Sequence, residues 1–252
     1  MNPKGTKHSF WTTLPGILTG LAGAITAATG LYVALNHRDQ KTSADRPPVS
    51  PTEVKAPSSA TTWPMVAEEA FTALPAEWFK GTFLDKDKFV RSEHGIVGGK
   101  YRWEMEFRQP AQVFIDLPYG SATDFQLSVD LRFVESTSDE LSGGIIFGKA
   151  SNKELSFHIS SNGKYSLSRF DGKHDRIIEW TPIRINPSGE ANRISVTVEN
   201  QQIRMYVNAN LVGVYKDFTF TGGKFALTAQ AYKPNVLAVM DFDNFEFRRK
   251  AE

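Results

Sequence analysis

The densest cluster of chemistry-bearing side chains is Asp241-x-Asp243-x-x-Glu246, close to the end of the chain. Carboxylates repeated along a strand can share one face, and a pair flanking one substrate could act as nucleophile and general acid in glycosidic bond cleavage. The first position is an aspartate, whose short side chain would hold the nucleophile back from a sugar. The same residues offer hard oxygen donors. Asp241 and Asp243, with Asn244, backbone carbonyls and an acid such as Asp85 or Asp87, could hold a structural calcium ion. The bland alternative is hydrogen bonding at a strand end. Elsewhere His94, His158 and His174 sit in separate segments without metal-ligand spacing. No G-x-S-x-G elbow occurs, and Gly143-Gly144 is not followed by the G-K-[ST] of a phosphate cradle.

A second constellation suits binding. Between His158 and Trp180 lie Tyr165, Arg169, Phe170, Asp171, His174, Arg176 and Trp180. Aromatic faces stack on the apolar C–H groups of sugars while neighbouring polar side chains bond the hydroxyls, so Tyr165, Arg169, Phe170, His174 and Trp180 are the candidate ligand contacts. The competing use is core filling, because a two-sheet sandwich needs aromatics on both inner faces.

These residues need strands to position them, and the chain supplies strands. Ile194, Val196 and Val198 alternate with polar neighbours, as do Ile203, Met205 and Val207 after the short polar joint Glu199-Asn200-Gln201-Gln202, which predicts a hairpin. Asn208-Ala209-Asn210 and Gly222-Gly223 predict further turns, giving an antiparallel meander closed by an aromatic strand over Val239 to Phe247. Upstream, Tyr101, Trp103, Met105 and Phe107 alternate with Arg102, Glu104 and Glu106, and Val113 to Leu117 forms another short strand. Trp78, Phe79, Phe83 and Phe89 are expected to supply core aromatics.

The segment NRISVTVENQQIRMYVN, the GGKFAL turn and strand, and the closing FDNFEF, preceded by TDFQLSVDLRF, GGIIFGKA, SFHISSNGKYSLSRFDG and IIEWTPIRIN, resemble concanavalin A-like jelly-roll domains over about Phe83 to Phe247. The nearest resemblance is to bacterial laminin-G-like modules and to a bacterial family of unknown function described as 3-keto-disaccharide hydrolase-like. The resemblance implies an all-β, antiparallel two-sheet jelly-roll sandwich, with the concave face of its curved sheet as the usual ligand platform. Laminarinase-type relatives in that superfamily carry Glu, Asp and Glu on a mid-domain strand. Here the acidic cluster falls on the last strand and begins with aspartate, so no convincing catalytic pair is implied. The sandwich hosts lectins, glycosidases, adhesion modules and spacers alike.

In 252 residues, 40% of them hydrophobic, one sandwich and a tail fit better than two domains. The 29 basic and 28 acidic residues nearly cancel, which leaves no broad basic field for nucleic acid. Cysteine is absent, removing disulfides, thiolate metal sites and cysteine nucleophiles together.

Residues 1–13 form a short tail. Leu14 to Leu35 then contains no charged residue, and its length at helical rise is about 33 Å, which predicts a single transmembrane helix. Trp11 and Tyr32 fall where interfacial aromatics belong. Gly16, Gly20, Ala24 and Ala28 recur every fourth residue and would allow helix self-association. Basic residues on both sides do not decide the orientation, but a short tail before a long domain resembles a signal anchor that sends its C-terminus out of the cytoplasm. Residues 36–64, rich in Pro, Ser and Thr, predict a flexible linker, and 65–76 a short helical or irregular lead-in to a domain over 77–249.

The sequence thus points to a membrane-anchored, non-catalytic module that presents a sandwich to a glycan or protein ligand. A carbohydrate-active hydrolase and an assembly subunit of a membrane complex are the alternatives.

Overall fold

The computed structural model describes residues 63–250 apart from 74, 76, 77, 217 and 218. The expected transmembrane helix, its small-residue stripe and the linker as far as residue 62 lie outside the described residues. Among the described residues no helix is long and apolar enough to cross a membrane.

The described residues form two antiparallel sheets. The nine-stranded sheet runs in the order β13 (Asn210–Tyr215), β12 (Gln202–Val207), β11 (Ala191–Glu199), β6 (Phe125–Ser136), β15 (Val236–Arg249), β4 (Lys100–Phe107), β3 (Val90–Val97) and β2 (Gly81–Leu84), and β1 (Met65–Glu69) also pairs with β15. The six-stranded sheet runs β10 (His174–Pro182), β9 (Lys164–Phe170), β8 (Lys153–Ser160), β7 (Ser142–Ala150), β14 (Lys224–Ala231) and β5 (Ala111–Asp116). Phe125 of one sheet meets Phe225 of the other at 4.7 Å between ring centroids, and Phe225 meets Phe247 at 4.8 Å, so the inner faces interlock as a sandwich core.

Strand alternation builds that core as the residue pattern requires. Tyr101, Trp103, Met105 and Phe107 are buried on β4, as are Ile194, Val196 and Val198 on β11 and Ile203, Met205 and Val207 on β12. Both hairpins of the meander turn on two residues with positive φ, Asn200 (49°) with Gln201 (61°) and Asn208 (51°) with Ala209 (64°), the geometry that matches strand twist. The meander ends at β13, however. β14 crosses to the other sheet, and β15 returns between β6 and β4.

Three further expectations change. The lead-in expected to be short and helical or irregular starts as a strand: Met65–Glu69 pairs with the C-terminal half of β15, which β4 leaves uncovered. The fold also begins before residue 65, since Trp63 is buried and the Pro64 carbonyl accepts from the Arg249 amide. Phe83 and Phe89 are exposed: Phe83 lies on β2, the last strand of its sheet, and Phe89 in the turn that joins β2 to β3. Trp78 is in the core as expected.

In β15 the phenylalanines at 242, 245 and 247 cannot all share a face under strict alternation. A bulge resolves this. The register with β6 shifts between Asp243 and Glu246, Asn244 takes φ 46°, and all three rings are buried.

Candidate functional site

On β8 Leu155, Phe157 and Ile159 enter the core, so alternation sends Glu154, Ser156, His158 and Ser160 to the outer face of the six-stranded sheet. The pairing carries that face sideways: His158 lies opposite Ser166 on β9 and Gly144 on β7, Ser160 opposite Ser142, Gly144 opposite Thr228 of β14, and Ser142 opposite Gln230. The floor is therefore made of small hydroxyl side chains around one imidazole.

These groups point away from the core and are nonetheless buried: Ser142 is 0%, Ser166 2% and His158 3% exposed. Larger side chains lie across them. Trp180 of β10 meets Tyr232, just past β14, edge to face at 5.9 Å, and the Arg176 guanidinium lies 5.7 Å from the Trp180 ring. Arg176 also acts electrostatically on both His158 and Tyr232. Beneath, the Ser142 hydroxyl lies 3.2 Å from His158 Nδ1, the Tyr232 hydroxyl donates to Gln230 Oε1 at 2.9 Å, and Gln112 Nε2 donates to Thr228 Oγ1 at 2.9 Å. Burial, helped by the Arg176 charge, lowers the His158 pKa to about 4, so the imidazole is neutral at physiological pH.

At the turn end of this face Trp180 and Tyr232 join Glu140, Ser160, Asn162 and Lys164 around a pocket of about 220 Å³. The pocket combines two aromatic surfaces with a carboxylate, an amide and an ammonium group, a set that can pack on C–H groups and both donate to and accept from hydroxyls.

Of the five residues expected to touch ligand, Trp180 is in this pocket. The Phe170 and His174 rings meet in a tilted contact, 4.8 Å between centroids, across the β9–β10 hairpin, six positions along β9 from Lys164. Arg169 is held by Asp171 at 3.6 Å and Asp175 at 2.9 Å. Tyr165 faces the core: its ring is buried against Phe157 and its hydroxyl donates to the Val212 carbonyl at 2.5 Å. It shares the inward parity of Leu167, and the candidate contact is corrected to a packing residue. Tyr232 was not among the expected contacts, although the outward parity of Thr228 and Gln230 continues onto it.

The acidic cluster of β15 lies on the outer face of the other sheet. Arg102 grips Asp241 through Nε to Oδ1 at 2.7 Å and Nη2 to Oδ2 at 3.0 Å. Asp243 accepts from the Asn244 amide at 2.8 Å and lies 3.8 Å from Lys100 Nζ, and Glu246 is held by Arg193 at 2.7 Å. All three carboxylates thus serve as partners of protein groups. Among the described residues no three His, Asp or Glu side chains are placed to hold a metal ion, and Asp241, expected as a calcium ligand with Asp243, is the buried half of an ion pair with Arg102.

No protein-family profile matches the chain, and no curated protein matches it. Solved structures do. A Bacillus licheniformis β-glucanase superposes with a TM-score of 0.54 at 12% identity, covering 73% of this chain and 98% of its own. The κ-carrageenase of Pseudoalteromonas carrageenovora gives 0.52 at 12% identity, covering 83% and 100%, and the laminarinase catalytic domain of Thermotoga petrophila RKU-1 gives 0.51 at 9% identity, covering 75% and 99%. At these identities the likeness concerns architecture, and the described chain has the concanavalin A-like jelly-roll fold that these glucanases share.

Proposed function

We propose that this protein is a carbohydrate-binding module without catalytic activity, which takes its ligand in the pocket between Trp180 and Tyr232 and is presented from a membrane by Leu14 to Leu35. The edge-to-face contact of these two aromatics over a hydroxyl-rich floor carries the proposal. A core uses apolar side chains on a sheet face. This outer face instead places an aromatic wall beside Glu140, Asn162 and Lys164, whose polar atoms match sugar hydroxyls. The membrane assignment is supported by the charge-free run of 22 residues, and the linker after it provides reach.

The test is a glycan array probed with the full-length protein and its Trp180→Ala and Tyr232→Ala variants. Saturable retention by the parent and a loss of tenfold or more in each folded variant are expected. Equal retention by all three proteins would remove the pocket from the account.

A hydrolase is the second reading, favoured by one observation. Burial raises the Glu154 pKa from its ordinary value, opposed by Lys149 and His174 and assisted by Asp116, and an upward shift is the direction that suits a general acid. Sugar release abolished by Glu154→Gln with binding intact would favour the hydrolase.

A further inference from the structure

We infer, building on the binding function proposed above, that the Trp180–Tyr232 pocket receives the terminal unit of a glycan chain, one ring at a time, and not a stretch of chain interior. The pocket is small. Its volume of about 220 Å³ is below the roughly 300–1,000 Å³ typical of sites that enclose drug-sized ligands.

Its inner side is also closed. β10 and β14 stand four places apart in the sheet, about 19 Å in a flat arrangement, yet side chains reaching in from the two meet at 5.9 Å. Trp180 and Tyr232 therefore form a bar across β9, β8 and β7. Beyond the bar Arg176 packs on Trp180, and Ser142, His158 and Ser166 beneath have almost no contact with solvent. A polysaccharide lying along the face would have to displace the bar and its cover together. A chain end needs only the space in front of it, where the Trp180 and Tyr232 rings can pack against the apolar side of one sugar while Glu140, Asn162 and Lys164 meet its hydroxyls.

The aromatic pair Phe170 and His174 lies beyond the bar, about 20 Å along β9 from Lys164. An interior-binding cleft would use both ends of the face. A chain-end site leaves this pair out of contact.

The experiment measures affinity of the full-length protein by calorimetry for the methyl glycosides of glucose, galactose, mannose, xylose, fructose and N-acetylglucosamine. The linear homo-oligosaccharides of two to six of those units follow, with cyclodextrins and cyclic β-glucans as chains without ends. End recognition is supported if a methyl glycoside binds within about threefold of its longest oligomer, if the ring-closed glucans do not bind, and if Phe170→Ala leaves affinity unchanged while Trp180→Ala lowers it at least tenfold. Affinity that climbs tenfold or more with chain length, binding of ring-closed glucans, or loss of binding in Phe170→Ala overturns end recognition and leaves carbohydrate binding standing. Binding of no member by folded protein overturns both.

Discussion

Arg193 Nη2 donates to Glu246 Oε1 at 2.7 Å across the outer face of the nine-stranded sheet, and the same guanidinium fastens the bulge that lets Phe242 and Phe245 both face the core. Its other contacts are the Ser128 hydroxyl at 2.8 Å, Asp130 at 3.3 Å and the main-chain carbonyl of Asn244. Asn244 in turn donates to Asp130 at 2.8 Å. The acidic spacing that resembles a catalytic strand is thus a fastening for an irregular one.

Arg193→Ala should lower stability by roughly 2 kcal/mol, since it removes several charge-assisted hydrogen bonds that solvent partly screens. Glu246→Gln keeps an acceptor for Arg193 and should cost less than about 1 kcal/mol. Denaturant midpoints check the order, and a costlier Glu246→Gln would contradict the fastening role.

Gln201 acts as a clamp on another segment. Its side-chain amide donates to the Phe220 carbonyl at 3.0 Å and accepts from the Phe220 amide at 2.5 Å, while the Phe220 ring is buried near Phe125 and Phe147. Gln201→Ala should cost about 1–3 kcal/mol. Gln201→Gly should cost about 1 kcal/mol less than that, because glycine adopts φ 61° without strain. Equal losses in the two variants would mean that the turn carries no strain.

Adjacent glycines of β7 should respond differently to alanine. A methyl at Gly143 would meet the flexible end of Met240 and Leu131 Cδ1 at 2.6 Å, an overpacking cost of about 1–3 kcal/mol. One at Gly144 would meet the Phe157 carbonyl and His158 Cα, which are backbone of the neighbouring strand. Gly144→Ala should therefore fail to give folded protein, and Gly143→Ala combined with Met240→Ala should be less destabilised than the sum of its parts. Thermal unfolding of the set checks both.

His94 and His158 set the acid response. Burial lowers both from 6.5 to about 4. Between these values the unfolded chain binds protons that the folded chain refuses, so their contribution is full above pH 6.5, falls as the pH drops toward 4 and changes little below that. The loss is on the order of 3 kcal/mol per histidine. Unfolding midpoints at pH 7, 5.5 and 4.5 should fall in that order, and His158→Gln should flatten the slope. An unchanged slope in that variant would move the proton uptake to another group.

Much of the fold is legible in the residues because strand alternation and turn chemistry are local. Tyr101 to Phe107 and Ile194 to Val207 announce their buried faces, and Asn200 and Asn208 mark turns where left-handed backbone is cheap. The site is only half legible. Trp180 could be nominated from its type and neighbourhood. Tyr165, from the same neighbourhood, lies on the opposite face, and the two register shifts in β10 break the count that would have separated them.

The sequence by itself determined that strands of period two form, where several of them turn, and which residues have the chemistry to meet a sugar or hold an ion pair. Tertiary structure alone decided which face of each strand meets the other sheet and which side chains distant in the chain become neighbours. It brought Tyr232 to Trp180 across three strands, and Arg102 to Asp241 over 139 positions, turning a would-be catalytic acid into a structural one. The physical reason is that alternation specifies two faces without labelling them. Sheet order, bulges and the stacking of the two sheets supply the label, and they arise from contacts far apart along the chain.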